Sequence, residues 1–203
     1  SRPVIRRVLE EYGVTIRGRG AAAVNRFSRM SKSEKKATIK NAIDSQRGKK
    51  KSRDFLIKRA KGVERAQSNV SSSEKVLLDL LLSRGIKAIP QKAVDIYNID
   101  IAAFPVAVEV FGGAWHASKP KHIKRARQIF SEGWNIVYVW ANKRRAPLTS
   151  DVADYIVAFI DECRLNPSAP RKYRVLRGDG KELARGSAND DNITIVPVGY
   201  QSF

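Results

Sequence analysis

A chain of 203 residues, 42% of them apolar, suffices for one medium domain with a smaller appendage and argues against wholesale disorder. Its formal charge of +19 is unevenly spread: residues 1–70 hold 20 Lys/Arg against 6 Asp/Glu, and residues 71–203 hold 19 against 14. That asymmetry describes a polyanion-binding arm on a more balanced body, with nucleic acid as the favoured partner. An anionic membrane surface would call for an amphipathic, aromatic-bearing helix, which the sequence lacks. The single cysteine, Cys163, leaves no internal disulfide and suits a reducing compartment. No apolar run reaches the roughly 18 residues of a membrane span and no signal-peptide pattern is present, so a soluble intracellular protein is expected. The chain opens at Ser1 inside what reads as a motif, as a piece of a longer protein would.

Ser1–Tyr12 has the spacing of a basic helix, with Ser1 as an N-cap and Gly13 just past its end. Val4, Val8 and Tyr12 form one stripe, Ile5 and Leu9 lie beside it, and Arg2, Arg6 and Arg7 face elsewhere. Val14-Thr15-Ile16-Arg17 follows as a short extended piece. Residues 1–17 thus read either as the last helix and exit of a helix-turn-helix module or as a generic basic helix.

Residues 18–70 read as a basic linker. Gly18–Ser28, with Arg19, is rich in Gly and Ala; Ser31 and Glu34 then have capping-box spacing and open a lysine-bearing helix that stops at Gly48. Lys49-Lys50-Lys51 is a loop, and Ser52 opens a second short helix with Arg53, Lys58, Arg59 and Lys61 before Gly62. Short helices with so few apolar residues are marginal in water. The segment is expected to be extended or mobile alone and ordered along a phosphate backbone. A solvated linker without fixed contacts is the plainer alternative.

Residues 71–165 carry the body. Ser71–Arg84 is a leucine-rich helix closed by Gly85. Its Glu74 has capping-box spacing to Ser71, which favours a cap; the other reading aims Glu74 into a site built by the strands that follow. Ile86–Val94 offers a first strand, which Pro90 marks as bulged or at an edge. Two further strands follow, then a basic helix over Lys119–Glu132, a buried strand over Trp134–Trp140 and a helix from Thr149 or Ser150 through Cys163. The class is α/β, a small mixed sheet flanked by helices and preceded by a basic helical arm. Residues 166–203 read as a β extension, with a hairpin around Gly178-Asp179-Gly180 and one more strand candidate at Asn192–Val198.

The chemistry concentrates in Val94–Phe111. In Asp95–Ile101, Tyr97, Ile99 and Ile101 share one face, which leaves Asn98 and Asp100 on the other. In Val106–Phe111 the valines take one face, and Ala107, Glu109 and Phe111 the opposite one. A two- or four-residue loop centred on Phe104-Pro105 sets Asp100 directly opposite Glu109, with Cβ atoms about 4.5–5.5 Å apart. Two carboxylates that close repel unless a cation lies between them or one keeps a proton, so a divalent metal site is the economical reading. A three- or five-residue loop shifts the register by one and separates the acids, and solvated acids are the plainer alternative.

His116 follows a Gly-Gly-Ala-Trp turn past the acid strand, and His122 starts the next helix. Neither belongs to a zinc-spaced cluster. Acids for a metal, an imidazole able to move a proton near neutral pH, and a basic helix with Lys121 and Lys124 suit metal-assisted phosphodiester hydrolysis.

Glu74 on a leading helix, Gln91, Asp100, the run Val108-Glu109-Val110-Phe111-Gly112-Gly113-Ala114-Trp115-His116 and the segment Gly133–Trp140 together resemble very-short-patch-repair-like endonucleases. That group includes phage-type homing endonucleases of the E-D-x-H-D class, within the PD-(D/E)xK superfamily. The likeness covers roughly residues 71–163, and the basic arm also looks like the DNA-wrapping linkers of homing endonucleases. It implies Asp100 as principal metal ligand, with Glu109 or a backbone carbonyl completing the site. It further implies His116 as general base, Glu74 as supporting acid, Mg²⁺ or Mn²⁺ as the ion, and double-stranded DNA as substrate in a prokaryotic or phage-infected cytoplasm.

The sequence departs from the pattern in particular places. Phe111 stands where the superfamily's E-x-K motif has lysine, and His122 lies near where the repair enzymes carry an acid able to orient the histidine. The second histidine of the turn and the zinc-binding cysteines of the repair enzymes are missing, which argues against mismatch repair. The expected activity is a sequence-specific homing-type DNA endonuclease. A non-catalytic DNA-binding protein on the same scaffold is the alternative, and an RNA-processing nuclease has no recognition signature to support it. With one active site per body, breaking a duplex takes a homodimer or two successive cuts.

Overall fold

The computed structural model describes residues 2–15, 19–112, 119–142 and 145–195. In chain order the helices and strands are α1 (Arg2–Glu11), α2 (Arg19–Arg29), α3 (Lys32–Gln46), α4 (Arg53–Ala66), α5 (Ser72–Leu82), β1 (Ile89–Val94), β2 (Tyr97–Ala103) and β3 (Val106–Phe111). They continue as α6 (Lys119–Ser131), β4 (Asn135–Trp140), α7 (Ser150–Leu165), β5 (Lys172–Arg177) and β6 (Glu182–Ser187). The chain divides after Lys50 into two units.

The first unit is helical and has no buried side chain among its described residues. Val4, Ile5, Val8, Tyr12, Val24, Phe27, Ile39 and Ile43 are all exposed. The capping box opens α3 as its spacing predicts: Glu34 N–H donates to Ser31 Oγ at 3.3 Å and Ser31 N–H to Glu34 Oε2 at 2.8 Å. The Gly/Ala stretch expected as a linker is instead the helix α2. Ala21-Ala22-Ala23 outweighs the one glycine near its start, because alanine loses least on entering a helix.

The second unit is α/β, with six strands in the order β1-β2-β3-β4-β5-β6. β1, β2 and β3 form an antiparallel meander, β3, β4 and β5 run parallel, and β6 returns antiparallel. Every residue of β3 and β4 is buried, as parallel strands covered on both faces require. On one face Val106, Val108, Val110, Val137 and Val139 pack with Leu77 and Leu81 of α5 and Ile156, Phe159 and Ile160 of α7. On the other, Ala107, Phe111, Ile136, Tyr138 and Trp140 pack with Ala126, Ile129 and Phe130 of α6.

The region expected as a separate C-terminal extension supplies two strands of this same sheet, β5 and β6. Residues 192–195 form no strand; Ile193 and Ile195 are buried over the α6 face, and Trp140 Nε1 donates to the Ile195 carbonyl at 3.0 Å.

Helix α4, read as part of a mobile arm, is docked on the β1–β2 edge. Leu56, Ile57, Ala60, Val63 and Glu64 recur at helical spacing, and Ala60 is only 1% exposed. Polar clasps complete the seat. Glu64 accepts from Lys92 Nζ at 2.7 Å and from the Ala93 N–H at 3.1 Å, and Asn98 Nδ2 donates to the Ala60 carbonyl at 2.8 Å. Arg53 pairs with Asp95 at 2.6 Å. The surface turned outward carries Lys58, Arg59, Lys61 and Arg65, all exposed.

Because Ala60 is buried where α4 meets the sheet, Ala60→Leu is expected to cost about 1–3 kcal/mol by overpacking, read as a lowered urea midpoint at unchanged slope. An unchanged midpoint would mean that α4 is not seated.

Candidate active site

The β2–β3 hairpin closes through a two-residue loop at a cis Phe104–Pro105 bond and pairs Ala103 with Val106, Ala102 with Ala107 and Ile101 with Val108. The ladder ends at Ile101–Val108, one step short of the Asp100–Glu109 pair that the sequence predicts. A continued antiparallel ladder would send the Val110 N–H to the Ile99 carbonyl. Instead it donates to Asp100 Oδ2 at 2.9 Å, so a side chain takes the place of a backbone acceptor.

The irregularity crosses into β1. Pro90 pairs with Ile101 and Lys92 with Ile99, but Gln91 and Asp100 between them do not pair, and Gln91 sits at φ 51°. A non-glycine residue at positive φ is uncommon and is found where surrounding structure enforces it. The kink also breaks the expected alternation: Ile99 packs on the α6 face and Ile101 on the α5–α7 face.

Four polar residues gather around this break. Glu74 makes only half of the expected capping box: its N–H donates to Ser71 Oγ at 3.2 Å, while its carboxylate accepts from Gln91 Nε2 at 2.9 Å. The reading that aims Glu74 into the strands is therefore the one the geometry supports. Glu74, Gln91 and Glu109 are buried, and Asp100 is half-buried. Arg125 of α6 reaches across, its Nη2 at 2.6 and 2.7 Å from the two Glu109 oxygens and 2.5 Å from the Asn98 carbonyl.

Burial drives the electrostatics. It pushes Asp100 well above the usual carboxylate range, and Glu109 and then Glu74 add to the rise, against the Val110 N–H and Arg125. Glu109 is also raised by burial, but Arg125 opposes the shift. Asp100 is thus the acid whose charge is the more strongly opposed, while Glu109 has the Arg125 cation beside it. Tyr138, which pairs with Glu109 across β3–β4, is pushed up by burial and by that carboxylate, so it remains a neutral phenol.

Arg125 is the residue that sequence reasoning missed, having read its helix only as a basic one. Its position was legible in part: with His122, Ala126 and Ile129 it falls on one helical stripe. His122 is half-buried, its ring 5.0 Å from that of Phe111. His116, the expected proton acceptor, lies outside the described residues, as does Arg17. Lys121 and Lys124 are exposed on α6, and Arg53, Lys58, Arg59 and Lys61 on α4, with Lys51 just before it. Arg6 and Arg7 on α1 and Lys49 and Lys50 after α3 are exposed in the other unit, where Arg19 opens α2.

A cavity of about 280 Å³ beside the first turn of α5 is lined by Ser72, Ser73, Val76, Ala141, Asn142, Pro147 and Leu148 and by none of the acids, so it is separate from this cluster. Among the described residues no group of three or more His, Cys, Asp or Glu side chains is arranged to hold a metal ion. The pair Asp100 and Glu109 nevertheless fits the habit of Mg²⁺, which takes one or two carboxylates and fills its remaining positions with water and phosphate oxygens. No helix among the described residues is long and apolar enough to cross a membrane. Comparisons with protein-family models, with curated proteins and with solved structures find no match.

The raised pKa of Asp100 has a stability consequence. Its carboxyl binds a proton more tightly in the folded chain than at its ordinary value of 3.8, so folding stability of the metal-free protein declines as pH climbs from about 4 through the folded pKa. Asp100→Asn is expected to flatten that decline and to be more stable than the parent chain at neutral pH, by thermal melts in EDTA across pH 4–8. Parallel curves for the two proteins would refute the shift.

Proposed function

We propose that this protein is a divalent-metal-dependent DNA endonuclease of the homing type, with a PD-(D/E)xK-like catalytic body and a basic DNA-binding arm. The observation that carries the reading is the close approach of half-buried Asp100 and buried Glu109 where the β2–β3 ladder breaks, Asp100 accepting from the Val110 N–H next to Glu109. Support comes also from the mixed sheet flanked by helices and from the exposed cations on α4 and α6.

Asp100 and Glu109 would hold Mg²⁺ or Mn²⁺, which when bound supplies polarisation of the scissile phosphate and activation of water. Glu74, fixed by the Gln91 amide, adds negative charge to the pocket and so favours cation capture and loss of the Asp100 proton. Lys58, Lys61, Lys121 and Lys124 take backbone phosphates, contacts that orient a duplex without reading its sequence. His116 is the proposed proton acceptor.

A non-catalytic DNA-binding protein is the second reading, and one observation favours it: Arg125 already satisfies both oxygens of Glu109. Supercoiled plasmid with and without Mg²⁺ decides between them. The parent protein is expected to nick or linearise the plasmid only with the metal, while Asp100→Ala loses at least about 100-fold in rate yet still retards DNA on a gel. Undiminished cleavage by the variant rejects the site, and an inert parent protein rejects the enzyme.

The first unit holds 14 Lys/Arg against 4 Asp/Glu and no buried side chain, so residues 1–50 are expected to contribute affinity and little stability. Deleting them should shrink the slope of log affinity against log salt by several units and leave the melting temperature of the remainder nearly unchanged. An unchanged slope in fluorescence-anisotropy titrations would remove the arm from the binding surface.

A further inference from the structure

Arg125 holds Glu109 in an uneconomical way. One nitrogen, Nη2, straddles both carboxylate oxygens at 2.6 and 2.7 Å and also donates to the Asn98 carbonyl at 2.5 Å, while Nε is buried without a partner. A guanidinium grips a carboxylate best with two parallel N–H groups, one to each oxygen. The side chain also lies over the Tyr97 ring, 5.5 Å from its centre, and is 28% exposed. It therefore has a face open to solvent and a grip that another cation can contest.

The charge balance points the same way. Glu74 is bound by a neutral amide and Asp100 by a single backbone N–H, so Arg125 is the cation that faces Glu109. A divalent ion drawn to Asp100 and Glu109 would add two positive charges beside a guanidinium already seated on the same oxygens. Repulsion at such separations changes an ion's affinity by roughly tenfold or more.

We propose that Arg125 is a positioning residue that occupies Glu109 in the metal-free protein and competes with the divalent ion for that carboxylate. The inference rests on the proposed metal chemistry and adds to it a built-in restraint. The resident guanidinium holds the Glu109 carboxylate in place, and it makes metal capture weaker than the two acids alone would allow.

The test is Mn²⁺ binding by the full chain without nucleic acid, measured by calorimetry and by the electron paramagnetic resonance of the free ion. R125Q is expected to bind Mn²⁺ roughly tenfold or more tightly than the parent protein, R125K to stay near the parent value, and E109Q to bind more weakly than either. Arg125 with a merely structural role would lower the melting temperature on substitution and leave Mn²⁺ affinity unmoved, and that result overturns the inference. Should R125Q fail to fold in EDTA, recovery of a cooperative melt on adding Mn²⁺ supports it, and no recovery overturns it. Mn²⁺ binding that E109Q abolishes but R125Q does not tighten defeats the inference alone. Absence of Mn²⁺ binding in the parent protein and R125Q defeats the metal reading and the inference together.

Discussion

The hydrogen bond from the Val110 N–H to the Asp100 carboxylate is the contact on which the site depends. It takes the place of a backbone bond where the β2–β3 ladder ends, beside buried Glu109. Burying a carboxylate is costly unless it is neutralised or bonded. Each of the three acids here meets that cost differently: Glu74 through the Gln91 amide, Asp100 through a raised pKa and a backbone N–H, and Glu109 through Arg125. On the proposed reading, the same arrangement keeps two neighbouring carboxylates for a divalent ion.

Asn98 ties this chemistry to the outer surface. Its amide donates to the Ala60 carbonyl of α4 and, at 2.9 Å, to the carbonyl of Gln91, while its own carbonyl accepts from Arg125. One half-buried residue therefore joins the basic helix α4, the kinked residue of β1 and the cation of α6. The kink at Gln91 and the docking of α4 are two consequences of a single network. Networks of this kind are stiff when fully satisfied and fail as a unit when one member is lost.

What the sequence revealed and what it hid follow the range of the forces involved. The hairpin register from Ala103–Val106 to Ile101–Val108 was legible because strand alternation and a two-residue loop at Phe104-Pro105 are local properties. The same alternation misplaced Ile99 relative to Ile101, because the break that separates them comes from a positive-φ glutamine on a neighbouring strand, which no glycine announces. Glu74 was read as a cap because Ser71 stands three residues before it; its buried partner, Gln91, is seventeen positions away. Helix α4 was assigned to a mobile arm on its few apolar residues. Its seat is completed by Lys92, Asp95 and Asn98, polar partners about thirty to forty positions downstream.

The contrast between the two units separates affinity from chemistry on the proposed reading. Residues 1–50 form helices but bury no side chain among those described, and their excess of cations makes a polyanion the natural partner on this reading. The second unit carries its cations on the outer surfaces of α4 and α6 while reserving Arg125 for the interior. Exposed lysines trade one phosphate for another at little cost and tolerate replacement singly. Arg125 has no such freedom, because removing it leaves a buried carboxylate without its cation, a loss of about 3–5 kcal/mol when nothing takes its place. On the proposed reading, what replaces that guanidinium is positively charged and small enough to reach Glu109, as a divalent ion is.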